Sequence, residues 1–162
     1  MSNTIERYQN LQIHRAKTLE DKKKCESVRI KVFVEELGYP RELRGLDSRD
    51  ATAIILLATV DDIKDGVKNT PIGTIRMVPS KDDNHSGTLS RLAVLSQVRG
   101  KGIGGKLIHA LEVAAKEEGR KAIMLECQAH KRGYYETMGF VLEDDTIHMR
   151  VGAPHQQLWK RV

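Results

Sequence analysis

The chain carries one glycine-rich stretch, which reads Gln97-Val98-Arg99-Gly100-Lys101-Gly102-Ile103-Gly104-Gly105-Lys106. Residues 88–95 before it predict a strand, and the apolar spacing after it predicts a helix. Closely spaced glycines let a ligand approach the backbone, and the first N–H groups of a helix lack internal partners. The helix dipole adds about half a positive charge there, so the turn favours a pyrophosphate. Three cations in the stretch strengthen this interpretation: Arg99, Lys101 and Lys106.

Two other phosphate motifs match the same residues. Gly100, Gly102 and Gly105 fit the dinucleotide fingerprint GxGxxG, with Glu126 near the expected position of its acidic ribose ligand. Against this hypothesis, four residues separate the predicted strand from the first glycine, whereas the fingerprint begins at the strand end. The GxxxxGK motif also fits, but Leu107 follows it where a hydroxyl would hold Mg²⁺. Nucleotide hydrolysis is therefore disfavoured.

The residues around the turn predict a strand, a helix and a second strand. Alternation along residues 88–95 puts one set of side chains on one face, Leu89, Arg91 and Ala93. The opposite face carries Ser90, Leu92 and Val94. The helix is indicated by apolar residues at 103, 107, 108, 111, 114 and 115 and ends at Gly119, and residues 122–125 predict a buried strand.

The rest of the chain adds mostly antiparallel elements. Residues 11–14 predict a strand, and Thr18 predicts the start of a helix with Cys25, Val28 and Val32 on its buried face. Two apolar segments, 53–60 and 71–78, predict a hairpin. A short helix at 131–138 and strands at 140–142 and 155–161 follow, the last pairing back across 152–154. This order predicts an α/β (mixed α+β) fold with a central mixed, mostly antiparallel sheet flanked by helices.

Composition limits the class of protein. The 162 residues predict one domain, with residues 1–10 as a flexible N-terminus, and 40% hydrophobic residues suffice for a core. The formal charge of +5 suits anionic ligands, but 4% aromatics leave too few rings to stack the bases of a single-stranded nucleic acid. The two cysteines indicate a reducing compartment. Because no signal peptide or membrane segment is recognised, we expect a cytoplasmic protein, with the nucleus left open.

A family resemblance appears in two motifs. Leu92-Ala93-Val94 followed by the segment from Gln97 to Gly104 resembles the acyl-CoA motif Q/R-x-x-G-x-G/A of the GNAT N-acetyltransferases, and Tyr135-Glu136-Thr137-Met138-Gly139-Phe140 resembles their Y-E-x-x-G-F segment. With the predicted element order, the resemblance covers residues 11–161. Three further segments, 32–36, 128–130 and 152–155, resemble the ElaA-like branch.

The resemblance implies the GNAT acyl-CoA N-acyltransferase fold and acetyl-CoA (coenzyme A) as cofactor. The pyrophosphate would lie on the backbone amides of the turn, and the pantetheine arm would follow the strand before it. The implied cofactor-binding residues are Leu92, Ala93, Val94, Gln97, Arg99, Gly100, Lys101, Gly102, Ile103, Gly104 and Tyr135. No metal is implied, and Cys127 with His130 is interpreted as structural because a zinc site needs three or four ligands.

The resemblance also assigns the catalytic acid. Tyr135 falls on the family's tyrosine near the departing sulfur, and a phenol with a pKa of about 10 can donate a proton at neutral pH. The base is less well defined, and the candidates are Glu35, Glu36, Asp47, His85 and Glu126. Of these, we take Glu126 as the candidate base.

The expected activity is direct transfer of the acetyl group of acetyl-CoA to a primary amine of a small molecule or peptide. The alternatives are a non-catalytic acyl-CoA sensor and an NAD(P)-dependent oxidoreductase. Acceptor specificity is expected around residues 33–50 and in the closing hairpin. Nucleic-acid and membrane partners are not expected, and a homodimer is left open.

Overall fold

The computed structural model describes residues 6–41 and 47–162. The helices are α1 (Leu19–Arg29), α2 (Ile103–Glu117) and α3 (Arg132–Glu136). The strands are β1 (Tyr8–Arg15), β2 (Ile54–Asp62), β3 (Val67–Pro79), β4 (Ser86–Val94), β5 (Ala122–Gln128), β6 (Val141–Leu142), β7 (His148–Arg150) and β8 (Ala153–Arg161). A π-helical segment, Ile30–Glu36, continues α1, and short 3-10 turns occur at Ser48–Ala51, Ser96–Val98 and Ala129–Lys131.

The eight strands found within the described residues belong to one sheet in the order β1-β2-β3-β4-β5-β8-β6, with β7 paired to β8. The β4–β5 pair is parallel and the other pairs are antiparallel, so the prediction of a mixed, mostly antiparallel sheet is confirmed. Leu107 of α2 lies against Gly73 of β3, whereas Cys25 of α1 lies beside the neighbouring Thr74. Because successive strand residues project to opposite faces, α1 and α2 cover opposite faces of the sheet.

The sequence explains where the helices begin and end. The Thr18 side chain accepts a hydrogen bond from the Asp21 N–H and caps α1, as predicted. The apolar stripe of α2 is buried in the core, with Leu107 and Leu111 fully enclosed. Gly119 follows α2 with φ of +79°, a left-handed conformation that favours glycine and ends the helix.

The alternation predicted for β4 is wrong at Ala93. Arg91 has φ of +55°, and the β3–β4 register shifts there, from Arg76 opposite Ser90 to Thr74 opposite Ala93. Paired residues project to the same face, so Ala93 shares a face with Ser90 and not with Leu89. The cause is a β-bulge, whose extra residue reverses the alternation beyond it.

The N-terminal segment is more ordered than predicted. Tyr8, Gln9 and Asn10 belong to β1, so these three residues are part of the sheet and not of a flexible terminus. Arg7 forms two hydrogen bonds with the Asp62 carboxylate at 2.9 and 2.8 Å. Residues 1–5 lie outside the described part of the chain.

The predicted pairing of the C-terminal strand is confirmed, because β8 pairs back with β6. The predicted turn at 152–154 is wrong: the chain turns at Val151 and Gly152, and Ala153 and Pro154 belong to β8, where they pair with β7, a strand that was not predicted. None of the described helices has the length and apolar character needed to cross a bilayer.

Candidate active site

A cleft opens where β4 and β5 separate. The two strands pair only from Ser86 to Thr88 on β4 and from Ala122 to Met124 on β5. Beyond these pairs the described residues of β4 have no partner strand on this side, so the edge from Leu92 to Val94 is exposed to the cleft. The bulge at Arg91 increases the local twist and helps to separate the strands.

Two adjoining cavities occupy this cleft. The glycine-turn pocket has a volume of about 420 Å³ and is lined by Leu92, Val94, Val98, Arg99, Gly100, Gly102, Ile103, Gly104, Lys131, Tyr134 and Tyr135. The cleft pocket, of about 560 Å³, extends between β4 and β5 and reaches Phe33, Tyr39, Arg49, Arg91, Glu126, Cys127, Arg150 and His155. Of the residues that the structure describes, three line both pockets: Leu92, Lys131 and Tyr135.

The glycine-turn pocket is built mainly from backbone. Gly100 and Gly102 have φ of +80° and +75°, which glycine adopts without strain. Gly102 caps α2, and among the described side chains none bonds to this helix start, so its first N–H groups stay available to a ligand. A Cβ on Gly104 would lie 2.7 Å from the Tyr134 hydroxyl, so glycine keeps the pocket open there. This arrangement fits a pyrophosphate.

Most of the predicted cofactor-binding residues meet in this pocket: Leu92, Val94, Arg99, Gly100, Gly102, Ile103, Gly104 and Tyr135. Three others lie elsewhere. Ala93 is buried against the core, because the bulge turns it away. Gln97 lines a separate surface depression together with Glu35. The Lys101 ammonium lies 5.8 Å from the centre of the Tyr8 ring.

The Arg99 side chain serves the turn in a way that the sequence did not predict. Its guanidinium forms a two-point ion pair with Glu36, at the end of the π-helical segment, and its Nε donates to the Val94 carbonyl at 3.0 Å. The hydrogen bonds from Arg99 lower the pKa of Glu36, although partial burial opposes this. Arg99 therefore connects the glycine turn to the π-helical segment that continues α1. Because Glu36 is paired and its pKa is lowered, it is a poor candidate for the base.

Tyr135 lies at the junction of the two pockets. Its ring contacts Tyr134 and Phe140 edge to face, with centroid distances of 5.2 and 6.1 Å. Burial raises the pKa of Tyr135 to about 12, and the nearby Cys127 and Tyr134 add to the shift. The hydroxyl therefore stays protonated well above neutral pH and can act as a proton donor.

Glu126 lies in the cleft pocket and, of its described lining residues, is the only acidic one. Arg150 donates to its Oε1 at 2.9 Å. The other base candidates lie elsewhere. His85 is at the far end of β4, where its carbonyl accepts from the Lys121 N–H, and Glu35 lines the depression with Gln97. Asp47 forms ion pairs with Arg49 and Arg76.

A buried ion-pair cluster behind the cleft pocket was missed by the sequence analysis. Arg29 bonds through two nitrogens to Asp50, and Arg76 bonds to both oxygens of Asp47 at 3.0 Å. Burial disfavours the charged carboxylate of Asp47, but Arg76 outweighs this and lowers its pKa to about 2. Arg91 also approaches Asp47, at 3.6 Å. These residues come from four separate segments, so no local pattern marked them.

Lys131 and Tyr134 are further lining residues that the cofactor prediction lacked. A tyrosine immediately before the motif tyrosine could have indicated the second. Within residues 6–41 and 47–162, no three His, Cys, Asp or Glu side chains gather as a metal site.

Comparison with known proteins identifies the family. The model described as the Acetyltransferase (GNAT) family matches residues 18–140. The uncharacterised N-acetyltransferase YjcF of Bacillus subtilis (strain 168) is 31% identical over 147 residues, which cover 90% of this chain and 96% of the relative. The chain therefore belongs to the GNAT acetyltransferase family, as the motifs predicted. Membership supports, at a general level, transfer of an acyl group from acyl-CoA to an amine.

Solved structures confirm the fold. Escherichia coli ElaA matches with a TM-score of 0.74 and 22% identity, over 93% of this chain and 98% of ElaA. A GNAT family acetyltransferase from Elizabethkingia anophelis with acetyl-CoA bound matches with a TM-score of 0.67 and 16% identity, over 94% and 99% of the two chains. The predicted GNAT acyl-CoA N-acyltransferase fold is thus correct.

Proposed function

We propose that this protein transfers the acetyl group of acetyl-CoA directly to a primary amine of a small molecule or peptide. The observation that carries the proposal is the meeting of the two pockets at Tyr135. One pocket offers backbone donors for an anionic cofactor, and the other offers room for an acceptor. Tyr135, whose hydroxyl keeps its proton, lines both pockets.

The chain's own groups fit the parts of acetyl-CoA. The N–H groups at the start of α2 would bind the pyrophosphate, and the exposed edge of Leu92 and Val94 would pair with the amides of the pantetheine arm. When bound, acetyl-CoA supplies a thioester carbonyl that an amine can attack. The E. anophelis relative with acetyl-CoA bound shares the fold and supports the choice of acyl group.

Tyr135 is proposed to donate its proton to the departing sulfur, because its hydroxyl keeps the proton and the residue lines both pockets. Glu126 is proposed to accept the proton that the acceptor ammonium loses, through water. Its support is its place as the acidic group of the described cleft-pocket lining. Arg150 would orient the carboxylate.

The alternatives have less support. For the oxidoreductase, the acidic ribose ligand should lie beside the glycine turn, but Glu126 lines the cleft pocket and not the glycine-turn pocket. A sensor without catalysis would need the same cofactor pocket but no proton donor at the junction. Measuring turnover therefore distinguishes a sensor from an enzyme.

The test is release of coenzyme A thiol from acetyl-CoA in the presence of a panel of primary amines, with mass spectrometry of the acceptor. We expect thiol release that depends on the amine, a product heavier by one acetyl group, and stabilisation of the fold by coenzyme A but not by NADH. Stabilisation by coenzyme A without turnover of any amine would favour the sensor. Stabilisation by NADH alone would favour the oxidoreductase.

A further inference from the structure

The chemistry of the acceptor is indicated by the charges around the cleft pocket. Among its described lining residues the cationic side chains are Arg49, Arg91, Lys131 and Arg150, against the single carboxylate of Glu126. Glu126 is already bonded to Arg150. A pocket lined in this way repels polycations such as polyamines and attracts a molecule that brings negative charge.

Arg49 is the lining cation best placed to take a new partner. Its side chain is 58% exposed, and its described ion pair is a single contact of 3.3 Å to Asp47. That carboxylate is engaged elsewhere, because both of its oxygens accept from the buried Arg76 at 3.0 Å. Since Arg76 is only 1% exposed, Asp47 is needed there to compensate a buried charge. Arg49 therefore lines the pocket with most of its hydrogen-bonding capacity unused by the described residues.

The Glu126 carboxylate and two of the cations, Arg49 and Arg91, come from different walls of the pocket. Arg91 belongs to β4 and Arg49 to the 3-10 turn Ser48–Ala51, whereas Glu126 belongs to β5. The strands have separated at this level, so a small molecule between them can place an ammonium towards Glu126 and an oxyanion towards Arg49. Phe33, Leu37 and Leu125 add an apolar wall.

We infer that the acceptor is an amine that also carries an oxyanion, a carboxylate or a phosphate, which binds the Arg49 guanidinium in the cleft pocket. This inference rests on the proposed acetyl transfer and names its substrate class. A planar guanidinium bonds carboxylate and phosphate through two parallel N–H groups, which gives both affinity and orientation. The amine would then point from the pocket towards the thioester.

The experiment compares matched acceptors. Phenylalanine is tested against its methyl ester and phenethylamine, and O-phosphoethanolamine against ethanolamine, with spermidine as the polycation. In at least one of these comparisons, we expect kcat/KM of the oxyanion-bearing acceptor to be about ten times that of its neutral partner or more. The pair that shows the preference distinguishes carboxylate from phosphate. The amine of phenylalanine methyl ester is less basic than the amine of phenylalanine and loses its proton more readily. This difference favours the ester, so a preference for phenylalanine would not be caused by amine basicity.

The variant Arg49→Gln should remove this preference by raising KM for the charged acceptor, while KM for acetyl-CoA, which would bind in the other pocket, stays the same. Arg49→Lys should retain part of it, because the charge stays but the two-point geometry is lost. Arg15→Gln is the matched control, since Arg15 is an exposed arginine paired with Glu118 away from both pockets.

Calorimetric binding of the same acceptors in the presence of coenzyme A provides a readout apart from catalysis. Binding of an oxyanion-bearing amine that Arg49→Gln weakens, without any turnover, would support the inference and contradict the proposed catalysis. Equal turnover of charged and neutral partners, or a preference for spermidine, would overturn the inference and leave acetyl transfer standing. A preference that survives Arg49→Gln would overturn the role of Arg49.

Discussion

The two pockets that meet at Tyr135 are built from different parts of the chain. The glycine-turn pocket is formed by one contiguous turn, the strand edge before it and the residues of α3, and its expected donors are backbone N–H groups. The cleft pocket is formed by side chains from the first helical segment, β4, β5 and the β7–β8 hairpin. Backbone donors are the same for any sequence, whereas side chains can be exchanged singly. The first pocket is therefore suited to a constant cofactor and the second to a particular acceptor.

The largest expected effect lies where the pockets meet. Tyr135→Phe should lower kcat about a hundredfold, because the proton donor is lost, while the dissociation constant of acetyl-CoA changes less than about twofold. The measurements are steady-state kcat and calorimetric binding.

The control for this variant is Tyr134→Phe. Tyr134 lines only the glycine-turn pocket, so its loss should alter cofactor affinity and leave kcat nearly unchanged. If both variants lowered kcat equally, Tyr135 would have no special role as a donor.

The next effect concerns the buried ion-pair cluster behind the cleft pocket. The pKa of Asp47 is lowered from 3.8 to about 2, so ionised Asp47 stabilises the folded state above pH 4 and this stabilisation is lost as the pH falls through 2. Asp47→Asn should lower the free energy of unfolding by about 2 kcal/mol at neutral pH, and the difference should disappear near pH 2. Urea unfolding over this pH range measures it. A difference independent of pH would contradict the charge argument.

A smaller effect isolates the backbone pocket. Gly104→Ala should weaken coenzyme A binding about tenfold, because the new methyl group lies against the Tyr134 hydroxyl inside the pocket. Gly105→Ala is the matched control, since its methyl group would lie 3.4 Å from Met138, outside the lining. Both changes suit a helix, so both proteins should fold. Equal affinities of the two variants would contradict the assignment of the pocket.

The smallest effect is expected for the base. Glu126→Gln should lower kcat/KM about fivefold at pH 7, and the loss should shrink at higher pH because the amine then loses its proton without help. A pH–rate profile of both proteins measures this. A deficit that stays constant with pH would assign Glu126 to acceptor binding instead.

The sequence predicted one pocket much better than the other, and the reason is chain separation. The glycine turn and the stripe of α2 are local patterns, so residues 97–115 alone predicted the turn, the helix and its buried face. The partner of Arg99 could not be predicted, because Glu36 lies 63 residues away. The ion pairs of Asp47 and Asp50 likewise join segments that only the folded sheet brings together.

The bulge in β4 shows the same limit at the scale of one strand. Strict alternation put Ala93 beside Leu89, and nothing in the local pattern indicates that Arg91 adopts a left-handed backbone conformation. One added residue moved a predicted cofactor contact into the core. Side-chain faces were therefore predictable only as far as the strand stayed regular.

The most direct test of the account is amide hydrogen exchange, resolved by residue, with and without coenzyme A. The N–H groups of Ile103, Gly104 and Gly105 begin α2 and lack intrahelical partners, so they should exchange fast in the free protein. We predict that coenzyme A slows exchange at these amides and along Leu92 to Val94, while the β7–β8 turn is unaffected. Protection elsewhere, with the start of α2 unchanged, would contradict the placement of the cofactor.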